Sequence, residues 1–147
     1  MIGDSELSAR AAQVLYAYAR GVDEGDLEAL GELVSDDVKV SRADGELNGR
    51  DEFVGLYRAF LDSPVEASQH LVGNVAAYRE SPGMIRALAY FTAIMFDPDG
   101  CRLITGSYSD TFREEADRLV LVHKRIEIQR AIKLSAQVMS WQGIAAK

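Results

Sequence analysis

Apolar residues in the first part of the chain recur every three or four positions. From Asp4 to Glu24, Leu7, Ala11, Val14, Leu15, Tyr18 and Val22 keep the period of an amphipathic helix. Gly25 ends that helix, and Asp26 can cap a second, short one whose buried stripe is Leu27, Leu30, Leu33 and Val34. Val38 and Val40 then alternate with polar neighbours, and Asp44-Gly45 is a two-residue turn signal, which predicts a short β-hairpin from Asp37 to Leu47. Asn48-Gly49 opens a third helix that runs through about Asp62. Its apolar side is Phe53, Val54, Leu56, Tyr57, Phe60 and Leu61, and Pro64 lies just beyond its end.

From Ser68 to about Ile128 the pattern changes to long strands. They are broken by turns at Ser81-Pro82-Gly83, at Asp97-Pro98-Asp99-Gly100 and at Glu114-Glu115-Ala116-Asp117. Short links of this kind predict four antiparallel strands. Gln129 to Lys147 holds Ile132, Leu134, Val138, Met139 and Trp141 without a clear period and reads as a tail. Its apolar residues are expected to cover a pocket mouth or to pack on a neighbouring subunit, giving a homodimer or homotrimer. Helices followed by a meander make an α+β order, since parallel βαβ units would need helices between the long strands. A sheet this long must twist and curl, and a concave face laid over a helix leaves room for a small apolar molecule.

Composition narrows the classes. The 147 residues, 48% of them hydrophobic, suffice for one domain with its own core, spanning 1–147, without staples. A formal charge of -7, spread along the chain, argues against nucleic acid as a partner. Cys101 is the only cysteine, so no internal disulfide can form, and two histidines cannot build a Cys/His zinc cluster. Met1 to Arg10 lacks the basic-then-apolar order of a signal peptide, and no run of eighteen apolar residues occurs later in the chain. A cytoplasmic protein, with neither metal nor membrane contact, is the expectation.

Two residues stand out for chemistry. At about 100° per residue, Asp23 lies nearly in line with Tyr16 on the margin of a broad apolar arc; it also fits a last-turn acid that helps cap the Gly25 turn. His70 sits in Ser68-Gln69-His70-Leu71-Val72-Gly73-Asn74, where alternation puts His70, Val72 and Asn74 on one face; a satisfied structural histidine is the plainer alternative. His123 and Arg125 share a face of the last strand, with Lys124 opposite, and that face reads equally well as solvated. Tyr16, Phe53, Tyr57 and Tyr108 are at core spacings from which some could line a pocket, together with Val72 and His123. Phosphate-binding glycine loops, Gly-x-Ser-x-Gly elbows and His-Glu-x-x-His helices are absent. Cys101 has no obvious activating neighbour.

Three strings, Tyr18-Ala19-Arg20-Gly21-Val22-Asp23-Glu24-Gly25-Asp26, Ser68 to Asn74, and Val122-His123-Lys124-Arg125-Ile126, carry a resemblance to the SnoaL-like branch of the nuclear transport factor 2 superfamily. The likeness covers roughly Ser5 to Ile128. It implies a cystatin-like cone in which three N-terminal helices pack on a curved, mostly antiparallel sheet and enclose a pocket. That superfamily includes scytalone dehydratase, hexachlorocyclohexane dehydrochlorinase, ketosteroid isomerase and polyketide cyclases. The resemblance to its dehydratases and dehydrochlorinase implies His70 as a base oriented by Asp23, with Arg125 matching an arginine that assists the leaving group. A second histidine of scytalone dehydratase would fall near Ile94, and the tyrosine it carries before the aspartate is Val22 here, so a scytalone-type hydration network is not implied. The activity implied is that of a cofactor-independent lyase or isomerase for a small apolar cyclic substrate, since an imidazole held by a carboxylate in a dry pocket can take a proton near neutral pH. The alternative from another class is a non-catalytic binding or assembly domain similar to the small subunit of ring-hydroxylating dioxygenases.

Overall fold

The computed structural model describes residues 3–137. Helix α1 spans Ser5–Glu24, with the Asp4 carboxylate accepting from the Leu7 N–H at its start. It ends at Gly25, whose φ of 71° is the left-handed conformation that glycine adopts without a Cβ penalty. Asp26 caps α2, Leu27–Glu32, through the Ala29 N–H. Strand β1 (Val34–Arg42) and β2 (Gly45–Asn48) form the expected hairpin, but β1 begins earlier, so Val34 belongs to the sheet and not to the second helix. Helix α3 covers Arg50–Leu61 and buries Phe53 and Tyr57.

The meander is β3 (Ala67–Ser81), β4 (Met84–Asp97), β5 (Gly100–Glu115) and β6 (Arg118–Ser135), antiparallel throughout. Strand β6 runs past the expected end: the chain from Gln129 to Ser135 continues the ladder with β5 and is not a tail. The rest of the expected tail, from 138 on, lies outside the described residues. The six strands order as β2-β1-β6-β5-β4-β3, with β1 alongside β6 in parallel, in a curved sheet that does not close.

Bulges supply part of the bend. In β3 the register shifts between Gly73 and Ala76, where Asn74 takes a φ of 53°. Two more shifts interrupt the β5–β6 ladder, at Thr105/Gly106 and Thr111/Phe112. Gly106 has no room for a side chain, because a Cβ there would fall on the Glu127 carbonyl and against the Phe91 ring. The core between helices and sheet is led by Leu15, Tyr18, Phe53, Ile85, Phe112 and Leu121. Among the described residues, no helix is long and apolar enough to cross a membrane.

Candidate active site

The end of α1 meets the start of β3 at Asp23. Ser68 and His70 are two residues apart and so share a face of the strand, and both bind that one carboxylate. Ser68 Oγ donates to Asp23 Oδ1 at 2.7 Å, and the His70 backbone N–H donates to Oδ2 at 2.7 Å. The His70 ring closes the cluster, with Nδ1 2.6 Å from Oδ1. A carboxylate only accepts, so the proton of this bond rides on Nδ1, and in the neutral form of the ring the lone pair is on Nε2. Both side chains are well covered, at 9% exposure for His70 and 18% for Asp23.

His70 forms a partition between two spaces. On one side is a groove of mixed polarity shared with Tyr16, Arg20, Asp23 and Val72. On the other is a cavity of about 160 Å³ between α1, α3 and the sheet. Its walls are mainly apolar, including Val22, Phe60, Phe91 and Ile126, and its polar groups are the hydroxyls of Tyr18, Tyr57 and Tyr108, the imidazole, and Arg42.

The tyrosines form a connected cluster. The hydroxyls of Tyr18 and Tyr57 lie 2.6 Å apart, the Tyr18 ring stands edge-on to Tyr57 and to Tyr108, and Tyr108 stacks on Phe91. Burial raises all three phenols above their ordinary range, so they act at neutral pH as proton donors. Behind them Lys124 Nζ sits 3.6 Å from the centroid of Tyr108 and 4.0 Å from that of Tyr18, and bonds Asp110 Oδ2 at 2.9 Å. Neither member of this ion pair has any exposed side-chain area. Burial pushes the Asp110 carboxyl up and the Lys124 ammonium down, each opposed by the other's charge.

The structure therefore brings Asp23, His70, Tyr57 and Tyr108 together at the cavity, puts Tyr16 and Val72 on the outer groove beside Asp23 and His70, and leaves Phe53, His123 and Arg125 away from both spaces. Tyr16 is 43% exposed on the outer groove, which Val72 also lines. Phe53 is fully buried behind Tyr57, in edge contact with it, and does not reach the cavity. Strand alternation sends Lys124, Ile126 and Ile128 inward, so His123 and Arg125 take the outer face. There His123 Nε2 lies 2.8 Å from Ser41 Oγ, and its pKa is lowered by burial first and by the charges of Arg125, Lys39 and Arg86. Arg125 is exposed, and its backbone N–H is engaged by Asp110. The cation that does line the cavity is Arg42, which shares the inward parity of Val38 and Val40 on β1. That parity is readable in the sequence; the burial of Lys124 is not. No group of three or more His, Cys, Asp or Glu residues that could hold a metal ion occurs among the described residues.

The SnoaL-like domain pattern matches residues 4–125. The chain belongs to the SnoaL-like family. Solved structures share its cystatin-like fold. A protein described as a putative scytalone dehydratase from Novosphingobium aromaticivorans superimposes with a TM-score of 0.78 at 16% identity, covering 94% of each chain. A type 2 hexachlorocyclohexane dehydrochlorinase gives 0.81 at 14% identity over 92% of this chain and 94% of that one. A protein of unknown function with a cystatin-like fold from Nostoc punctiforme gives 0.68 at 16% identity, over 88% and 96%. At such identities the likeness concerns the fold of this SnoaL-like domain. No curated protein matches the sequence.

Proposed function

We propose that this SnoaL-like protein is a lyase or isomerase that draws on no cofactor and begins by taking a proton from a small, largely apolar cyclic substrate. The observation that carries the reading is the His70 ring, fixed through Nδ1 by Asp23 at 2.6 Å while it borders the apolar cavity. In this reading Nε2 is the base, and Asp23 orients the ring and offsets the positive charge that forms on it. The apolar walls lower the local polarity and strengthen that attraction. Similarity to solved structures described as a dehydratase and a dehydrochlorinase supports the same class of chemistry.

The tyrosines favour oxygen on the substrate. The Tyr18 hydroxyl bonds that of Tyr57 and also interacts with that of Tyr108, and three hydroxyls joined in one chain keep one proton for a ligand. A carbonyl or a departing hydroxyl accepts such a proton well, so dehydration or double-bond isomerisation next to a carbonyl fits better than loss of halide.

The test is proton exchange. A panel of cyclic β-hydroxyketones and β,γ-unsaturated ketones, incubated with the protein in D2O and followed by NMR, is expected to yield at least one compound that takes up deuterium at a single carbon or is converted. Exchange that continued unchanged with His70→Gln, or no exchange with any member, would overturn the reading.

A further inference from the structure

Arg42 gives the cavity a charge that proton abstraction does not require. It is the only lysine or arginine among the described residues that line the cavity, and its side chain is one-third exposed, at 33%. Its place derives from β1: Val38 and Val40 point inward and are buried, and Arg42 is the next residue of that parity, at the end where the strand leaves the core. Next to it on β6, Ile126 lines the same cavity, since Ser41 pairs with Arg125 in the parallel ladder. Arg42 thus stands where the apolar space opens toward an outer hollow that holds Asp44, Glu46 and Glu52.

Of those three acids only Asp44 engages Arg42, through a single bond from Nη2 at 2.9 Å. Glu46 is paired with Lys39, and Glu52 accepts the Asn48 N–H. The Asp44 side chain lies on the hairpin turn and is 70% exposed, so this ion pair is weakly held. A guanidinium carries five N–H donors in a planar fork suited to a second carboxylate. The charge also acts inside the cavity, where Arg42 opposes the upward push of burial on the Tyr57 hydroxyl. The chain as a whole is acidic, at -7, so an anionic ligand would gain nothing from the general field and would depend on this local cation.

We propose that Arg42 is an anion-recognition subsite, and that the cavity takes a cyclic carboxylic acid whose ring lies among the apolar walls and whose carboxylate is forked by Arg42. This rests on the cavity being the substrate site for His70-led proton abstraction and adds the acidic group to the substrate class. The size agrees: a dry cavity on the order of 150 Å³ holds a benzene ring, and this one measures about 160 Å³ with a polar exit for the carboxylate.

Benzoate and benzamide make the test, because they share a shape and differ in charge. Calorimetric titration of the full chain at low salt is expected to show benzoate binding about tenfold more tightly than benzamide, the scale of one charge-assisted hydrogen bond. Arg42→Gln should erase that preference while leaving benzamide binding in place, and Arg42→Lys should keep part of it. Asp44→Asn should tighten benzoate by freeing the guanidinium. Equal binding of the two rings to the native protein, or a preference that survives Arg42→Gln, would overturn the subsite alone. Failure of both rings to bind would overturn the subsite and the substrate cavity together.

Discussion

Lys124→Met is expected to lower the unfolding free energy by about 3–5 kcal/mol, the usual cost of removing one partner from a buried ion pair. The physical reason is Asp110, which has no exposed side-chain area and would keep its carboxylate in the core without a counter-charge. The lost contacts of Nζ with the faces of Tyr18 and Tyr108 add to the effect. Burial opposes the charged form of both groups, so the pair as a whole contributes little net stability, and neutralising both should be far milder than neutralising one. The double variant Asp110→Asn, Lys124→Met keeps an oxygen to accept the Arg125 N–H and is expected to regain most of the loss. Urea unfolding of the two variants decides the matter. A single variant within about 1 kcal/mol of the native protein would contradict the account, as would a double variant no more stable than the single one.

Asp23→Asn is expected to reduce turnover of an identified substrate about a thousandfold, close to the loss from His70→Gln, with the double variant little worse than either. The amide of Asn can offer an N–H to Nδ1, which would move the ring proton to Nε2 and remove the lone pair that the reaction uses. Asp23 also accepts from Ser68 Oγ and from the His70 backbone N–H, so it sets the position of the strand as well as the ring. Binding of a product-like ring separates the two roles: if Asn disturbed only the chemistry, affinity would stay near native. Additive losses in the double variant would show that the two residues do not act as one unit. A rate within about tenfold of native for Asp23→Asn would remove it from the mechanism.

The parts of this protein that a linear reading reaches are those in which cause and signal are local. Asp4 and Asp26 cap helices at positions marked by their own neighbours, and Gly25 stops α1 because its backbone is left-handed. Two of the three hairpin turns of the meander announce themselves with Pro and Gly, and the third with the charged run Glu114-Glu115-Ala116-Asp117. Strand β6 is hard to read past Ile128 because Arg130 interrupts the alternation that Ile126, Ile128, Ile132 and Leu134 otherwise keep, and because that stretch is exposed in the described chain. The closeness of Asp23 to His70 joins residues 47 positions apart, a separation that no local pattern spans and that only the family resemblance bridges.

Charged residues are the harder case. Arg125 and Lys124 are adjacent and both basic, and nothing in the local pattern says which one turns inward. The choice is made by Asp110 on the neighbouring strand, which takes the Lys124 ammonium on one oxygen and the Arg125 backbone on the other. The outer position of Arg125 leaves cavity charge to Arg42, whose inward parity is legible but overshadowed by the turn signal beside it.

The parallel pairing of β1 with β6 has a kinetic consequence. Strands β3 to β6 meet through short turns, whereas Lys39 reaches its partner His123 only after the chain between them has been gathered in. Closing that long span costs chain entropy before any ladder contact offsets it. The meander is therefore expected to assemble first and β1 to dock late, so that pulse-labelled amides of β4 and β5 gain protection before those of β1. Simultaneous protection would argue against this order. Since β1 carries Arg42, a chain caught before that step would hold the His70 face of the sheet while the cavity beside it still lacked a wall.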